Sequence, residues 1–121
     1  MKAAILVGPA RFEIAEIDRP EPGPGEVRVR LEGTGVCASN VEPFEGQPWS
    51  SFPGAPGGLG HEGWGVVDAL GEGVASPSIG ARVALLSERA FAEYDVAPAD
   101  ALVELPEALA GPFRASRSPV R

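Results

Sequence analysis

Two short turns carry the side chains best suited to chemistry. Gly60-His61-Glu62-Gly63 holds the single histidine of the sequence, and Gly35-Val36-Cys37-Ala38-Ser39-Asn40 holds the single cysteine. Thiolate sulfur and imidazole nitrogen are both zinc ligands, and a catalytic zinc site uses three protein ligands while leaving a further position open to water or substrate. Cys37 and His61 supply two ligands, with the Ser39 hydroxyl and the Glu62 carboxylate close by in sequence. Residue type alone argues for less, because a lone cysteine is ordinarily a small core residue and a lone histidine a structural one. The two are too far apart in sequence for one local motif, so a shared site requires the fold to bring the turns together.

The elements that must do this are strands. Among 121 residues there are 16 glycines and 13 prolines, spread along the chain as frequent turns. Short apolar runs between turn signals predict an all-β domain with short helical turns, closed or nearly closed so that edges are few. Ala3 to Val7 reads as a buried strand and Phe12 to Ile17 as its half-exposed partner. Pro20 to Gly25 is a rigid turn. Glu26 to Glu32 alternates, with Val27, Val29 and Leu31 inward and the charges outward. Ser39 or Asn40 is expected to cap one helical turn ending near Phe44. Glu45 to Leu59 reads as a long loop, either packed on the surface or lining an entrance. Further strands are expected at Trp64–Leu70, Arg82–Leu86, Phe91–Val96 and Leu102–Pro106, with a helical turn over Glu107–Ala110.

Charge and length exclude several classes. With 10 basic against 17 acidic residues, the net charge of −7 argues against nucleic acid and anionic membrane partners. A single cysteine excludes an internal disulfide and fits a reducing compartment. The apolar start, Ala3 to Val7, is too short for a signal segment, and no stretch approaches the roughly 18 apolar residues of a membrane span. A cytoplasmic, soluble, single-domain chain is the expectation.

Around these residues the sequence resembles the zinc-containing medium-chain alcohol dehydrogenases. Gly60-His61-Glu62, Gly65, Gly71 and Val74 fit that family's signature in order and spacing. Gly35-Val36-Cys37-Ala38-Ser39-Asn40 is similar to its Gly-[Val/Ile]-Cys-x-Ser-Asp turn, Gly80-Ala81-Arg82-Val83 to its Gly-Asp-Arg-Val turn, and Phe91-Ala92-Glu93-Tyr94 to its Phe-Ala-Glu-Tyr segment. The resemblance is colinear from Met1 to about Gly111. It implies a GroES-like, partly open β-barrel over residues 1–111, without the Rossmann domain that binds NAD(P) in full-length members. It also implies that Cys37 and His61 are zinc ligands, that Glu62 lies behind the zinc or ligates it, and that Ser39 passes on the substrate proton. The chemistry implied is oxidation of a small alcohol or polyol, with hydride transfer to nicotinamide.

Departures from the family sharpen these expectations. Asn40 replaces an Asp that orients the zinc histidine, and its amide oxygen is expected to accept the same hydrogen bond. Glu42 stands where some members carry a relay histidine, so the relay is expected to run through water. Ser87-Glu88-Arg89-Ala90 replaces the four-cysteine lobe, so no structural zinc is expected. No Gly-x-Gly-x-x-Gly follows a strand, and there is no second Cys or His as a further ligand. The zinc site is therefore expected to be incomplete and the isolated chain inactive. Exposed cleft surface predicts a homo-oligomer. The alternative is a stand-alone GroES-like structural or interaction module; a zinc-free quinone reductase relative is disfavoured by His61. Residues 112–121, with Arg114, Arg117 and Arg121, form an atypical basic tail, read either as a solvated tail or as the product of a reading-frame slip.

Overall fold

The computed structural model describes residues 1–109. The 112–121 tail, and Ala110 at the end of the last expected turn, lie outside the described residues. The strands are β1 (Lys2–Gly8), β2 (Arg11–Glu16), β3 (Glu26–Thr34), β4 (Gly63–Leu70), β5 (Arg82–Leu85), β6 (Tyr94–Pro98) and β7 (Leu102–Glu104), with a short helix α1 (Val41–Glu45). Single 3-10 turns cover Ala38–Asn40, Ala99–Ala101 and Glu107–Leu109. β1 and β2 form a two-stranded antiparallel ribbon, and the rest form a five-stranded sheet in the order β6-β3-β4-β5-β7. This is the all-β, partly open architecture expected from the sequence.

Alternation in β3 puts Val27 and Val29 into the core, where both are fully buried with Val67 of β4 and Val83 of β5. The pairing of Val29 with Val67 and of Val27 with Ala97 stacks these side chains into one cluster, flanked by Leu31 and Leu70. Each fully buried valine contributes roughly 1.5–3 kcal/mol. The outward half of the β3 pattern fails at Arg28, which is buried. Its Nε donates to Asp68 Oδ1 at 2.8 Å, its Nη1 donates to Glu21 Oε1 at 2.8 Å, and its guanidinium lies 5.7 Å from the Tyr94 ring centroid. Hydrogen bonding to Asp68, with the charges of Asp68 and Glu21, raises its pKa against the cost of burial. The Pro20–Gly25 turn and β6 cover this side of a central strand, so alternation alone misjudged its exposure.

The Phe91–Val96 run also differs from expectation. Its regular strand is Tyr94–Pro98, while Phe91 to Glu93 cross between the two sheets. Ala4 N–H donates to Phe91 O at 2.8 Å, Glu93 N–H to Lys2 O at 3.0 Å, and Leu31 N–H to Glu93 O at 2.9 Å. Phe91 meets the Phe12 ring edge-on at 5.9 Å, and Phe12 stacks on Phe44 of α1 at 5.7 Å. The long loop packs along β1 through Gly54 N–H to Leu6 O at 2.9 Å and Gly57 N–H to Ala4 O at 2.7 Å.

Gly65 on β4 faces the backbone of β3, where a methyl group would run into the Arg30 carbonyl oxygen. Gly65→Ala is expected to destabilise the fold by about 1–3 kcal/mol through overpacking against rigid backbone. Gly8→Ala, whose methyl would meet nothing within 4 Å, is the control and should stay within about 0.5 kcal/mol of wild type. Denaturant midpoints of the variants check both.

Candidate metal centre

The β3–β4 ladder brings the two turns together. Its last rung pairs Thr34 with Gly63, and Gly35 N–H extends it by donating to Glu62 O at 3.0 Å. Cys37 follows β3 closely, and His61 and Glu62 precede β4, so all three project from the same end of one antiparallel pair. The sulfur, an imidazole nitrogen and a carboxylate oxygen lie within 4.8 Å of one another. Zinc bonds of about 2.0–2.3 Å place donor atoms of one ion about 3.5 Å apart, so modest inward movement brings this set onto a single ion. A thiolate, an imidazole and a carboxylate are also the donor chemistry zinc takes. Gly35 is required here, because a side chain at that position would collide with the Glu62 carboxylate.

Behind the donors sits Asn40, buried at 7% exposure. Its Oδ1 accepts from Cys37 N–H at 2.9 Å, and its Nδ2 donates to Leu59 O at 2.8 Å. His61 Nδ1 lies 3.1 Å from the same Leu59 oxygen. A carbonyl only accepts, so Nδ1 carries the proton and Nε2 is left as the nitrogen with a lone pair to offer. This corrects one expectation. Asn40 does not accept a hydrogen bond from His61; its oxygen is taken by Cys37, and Leu59 O serves the ring. Asn40 does stand at the N-cap position of α1, as expected, although its side chain makes no capping bond there; Cys37 heads the preceding Ala38–Asn40 turn, which Asn40 closes from the third position. Leu59, at φ 76°, holds a left-handed conformation that few non-glycine residues adopt. Sequence reasoning missed Leu59, since its carbonyl leaves no trace in residue type.

The electrostatics couple the two side chains. The Cys37 thiol pKa is lowered, first by the Ser39 hydroxyl, then by the Ser39 amide and by His61, against opposing burial and the Glu62 charge. The His61 pKa is raised, chiefly by its hydrogen bond to Cys37, with Leu59 O assisting. A hollow of about 470 Å³ opens beside Ser39 and His61, bounded by Pro43, Leu59, Glu88 and Arg89. A larger hollow of about 550 Å³ runs along β6, but none of the three donor residues lines it. The smaller one is therefore the hollow that the candidate site opens into. Glu42 is exposed and does not line it. Glu88 and Arg89 were read in the sequence only as part of a missing lobe, yet they border the donors.

Residues 23–107 match the family described as the alcohol dehydrogenase GroES-like domain, and the chain belongs to that family. It is 31% identical to starvation-sensing protein RspB of Escherichia coli strain K12, in an alignment covering 93% of this chain and 41% of that protein. It is 42% identical to an alcohol dehydrogenase of Moraxella sp. strain TAE123, over 69% of this chain and 25% of that one. A crystal structure described as a short chain alcohol dehydrogenase from E. coli CFT073, complexed with NADH, superposes with a TM-score of 0.77 at 31% identity, covering 93% of this chain and 40% of its own. The chain thus spans about two fifths or less of the length of these proteins.

A lowered thiol pKa keeps Cys37 ionised at pH values where an ordinary cysteine is protonated. Alkylation of the metal-free chain by iodoacetamide should therefore stay fast as pH falls, until pH passes through the lowered value. Ser39→Ala and His61→Ala should each move that midpoint upward, Ser39→Ala at least as far, as pH–rate profiles will show.

Proposed function

We propose that this chain forms the metal-binding catalytic domain of a zinc-dependent, NAD(P)-linked alcohol or polyol dehydrogenase. The convergence of Cys37, His61 and Glu62 at one end of the β3–β4 ladder is the observation that carries this reading. These residues would hold the zinc, whose Lewis acidity would make an alcohol proton easier to remove. Ser39, exposed at the edge of the hollow, accepts that proton and passes it to water, since Glu42 stands apart. Pro43 and Leu59 wall the hollow and orient the carbon that gives up hydride. Full-length relatives supply the nicotinamide; here Gly58, Gly60 and Gly63 repeat the spacing of a dinucleotide loop but lead into a strand, whereas that loop must open a helix.

In this reading the isolated chain binds zinc without turning over alcohol. Val36 and Val41, 76% and 50% exposed, border the site as a surface that a cofactor domain covers, and that face favours self-association in its absence. No helix among the described residues is long and apolar enough to cross a membrane, which is compatible with a cytoplasmic site of action.

Metal analysis of the purified chain beside His61→Ala, with ethanol or sorbitol and NAD(P) assayed in parallel, tests the reading. About one zinc per chain, lost in His61→Ala and accompanied by no turnover, is the expected result. Wild-type chain that stays metal-free after zinc reconstitution would overturn the zinc assignment and leave a GroES-like scaffold.

A further inference from the structure

The hollow along β6 is lined by two residues with polar atoms that the fold leaves unanswered. Val29 pairs with Asp95 and Val27 with Ala97, and residues directly opposite on an antiparallel pair share a face of the sheet. Asp95 therefore stands on the face of the valine core, where alternation calls for an apolar side chain, and it is 5% exposed. Its Oδ1 accepts from Val96 N–H at 2.8 Å. An asparagine would make that bond equally well, so the bond does not account for the charge. Asp95 Oδ2 is buried without a hydrogen-bond partner among the described residues, and so is Ser87 Oγ, whose residue lines the same hollow.

A buried carboxylate is costly unless an opposite charge reaches it. None of the ion pairs among the described residues includes Asp95. Asp18, Glu26 and Glu88 also border the hollow, so its lining is acidic, with Arg89 exposed as its one side-chain cation. The Met1 ammonium is already taken up by Ile17 O and Glu16. Ile17, Pro56 and Leu86 supply apolar wall, and about 550 Å³ is open between them. A metal ion does not suit this setting: among the described residues, only Cys37, His61 and Glu62 bring three candidate ligands together. An anion would be repelled, and a neutral alcohol would leave the Asp95 charge unbalanced. A primary ammonium brings one positive charge and three donors on an apolar stem.

We propose that this hollow binds an alkylammonium group, with its charge against Asp95 Oδ2 and Ser87 Oγ and its carbon chain on the apolar wall. The site is separate from the three donors and stands whether or not they hold zinc. The test titrates the whole chain near neutral pH with n-pentylamine, which is protonated there, and with 1-pentanol, its neutral counterpart. Pentylamine should shift the Ser87 and Val96 amide resonances saturably and bind about 10-fold or more tightly than pentanol. Asp95→Asn keeps an acceptor for Val96 N–H and should abolish that advantage; Ser87→Ala should reduce it. Equal affinity of wild type for amine and alcohol would overturn the proposal, a result that stands even if a variant fails to fold. So would an advantage that survives in Asp95→Asn, or amine shifts confined to the Cys37 and His61 turns. Nα-acetyl-lysine amide, titrated alongside, separates two sources of the same group. Tighter binding than pentylamine assigns the site to a lysine side chain of a polypeptide, and weaker binding assigns it to a free amine.

Discussion

Everything at the candidate site depends on the antiparallel pairing of β3 with β4. Neither cysteine turn nor histidine turn is a site by itself, and the long Glu45–Leu59 loop between them would let them drift apart in a looser fold. The register of one ladder holds them together. Pairing Thr34 with Gly63 fixes where each strand ends and therefore which residues emerge together. Because strand pairing has a period of two, a slip by a single residue would expose Val29 and Val67 and carry the donors out of register with each other. The valine core and the donor set are thus selected by the same constraint.

Charge is arranged around that ladder in two different ways. At one end Arg28 is buried under opposite charges, where Asp68 and Glu21 offset its desolvation and the Tyr94 face adds a cation–π contact. At the other end Cys37 and His61 shift each other's protonation, and Ser39 adds donors to the sulfur. The first arrangement locks a charge that never titrates near neutrality. The second favours a thiolate beside an imidazolium, two groups that titrate far closer to neutrality than the guanidinium does. The same β-domain therefore holds a static ion pair and a labile one at opposite ends of its central strands.

Much of this was legible in the sequence. Alternation in Glu26–Glu32 located the central strand; Cys37 and His61 stood out by residue type, and the resemblance of their turns to the zinc-containing family singled them out together with Glu62. What escaped depends on tertiary contact. Arg28 is buried because a loop distant in pattern folds over it. The Phe91–Glu93 segment was taken for strand because it alternates, yet its hydrogen bonds go to β1 and to Leu31 in the crossover between sheets. Asn40 was read as an acceptor for His61 because a similar position elsewhere holds a carboxylate. Its real partners are backbone groups of Cys37 and Leu59, and main-chain partners leave no signature in composition or periodicity.

The topology also dictates an order of assembly. β3 must wait for β4 and then for β6, both far along the chain, before either edge of its ladder is formed. Loop closure over such separations is slow relative to local turns, so the sheet cannot zip until most of the domain has been synthesised. Cys37 becomes a neighbour of His61 only at that point. Until then the thiol is an ordinary solvent-exposed cysteine, open to oxidation and to adventitious metals. The three donor side chains therefore converge late in the life of the nascent chain, timed by strand pairing rather than by the appearance of the residues themselves.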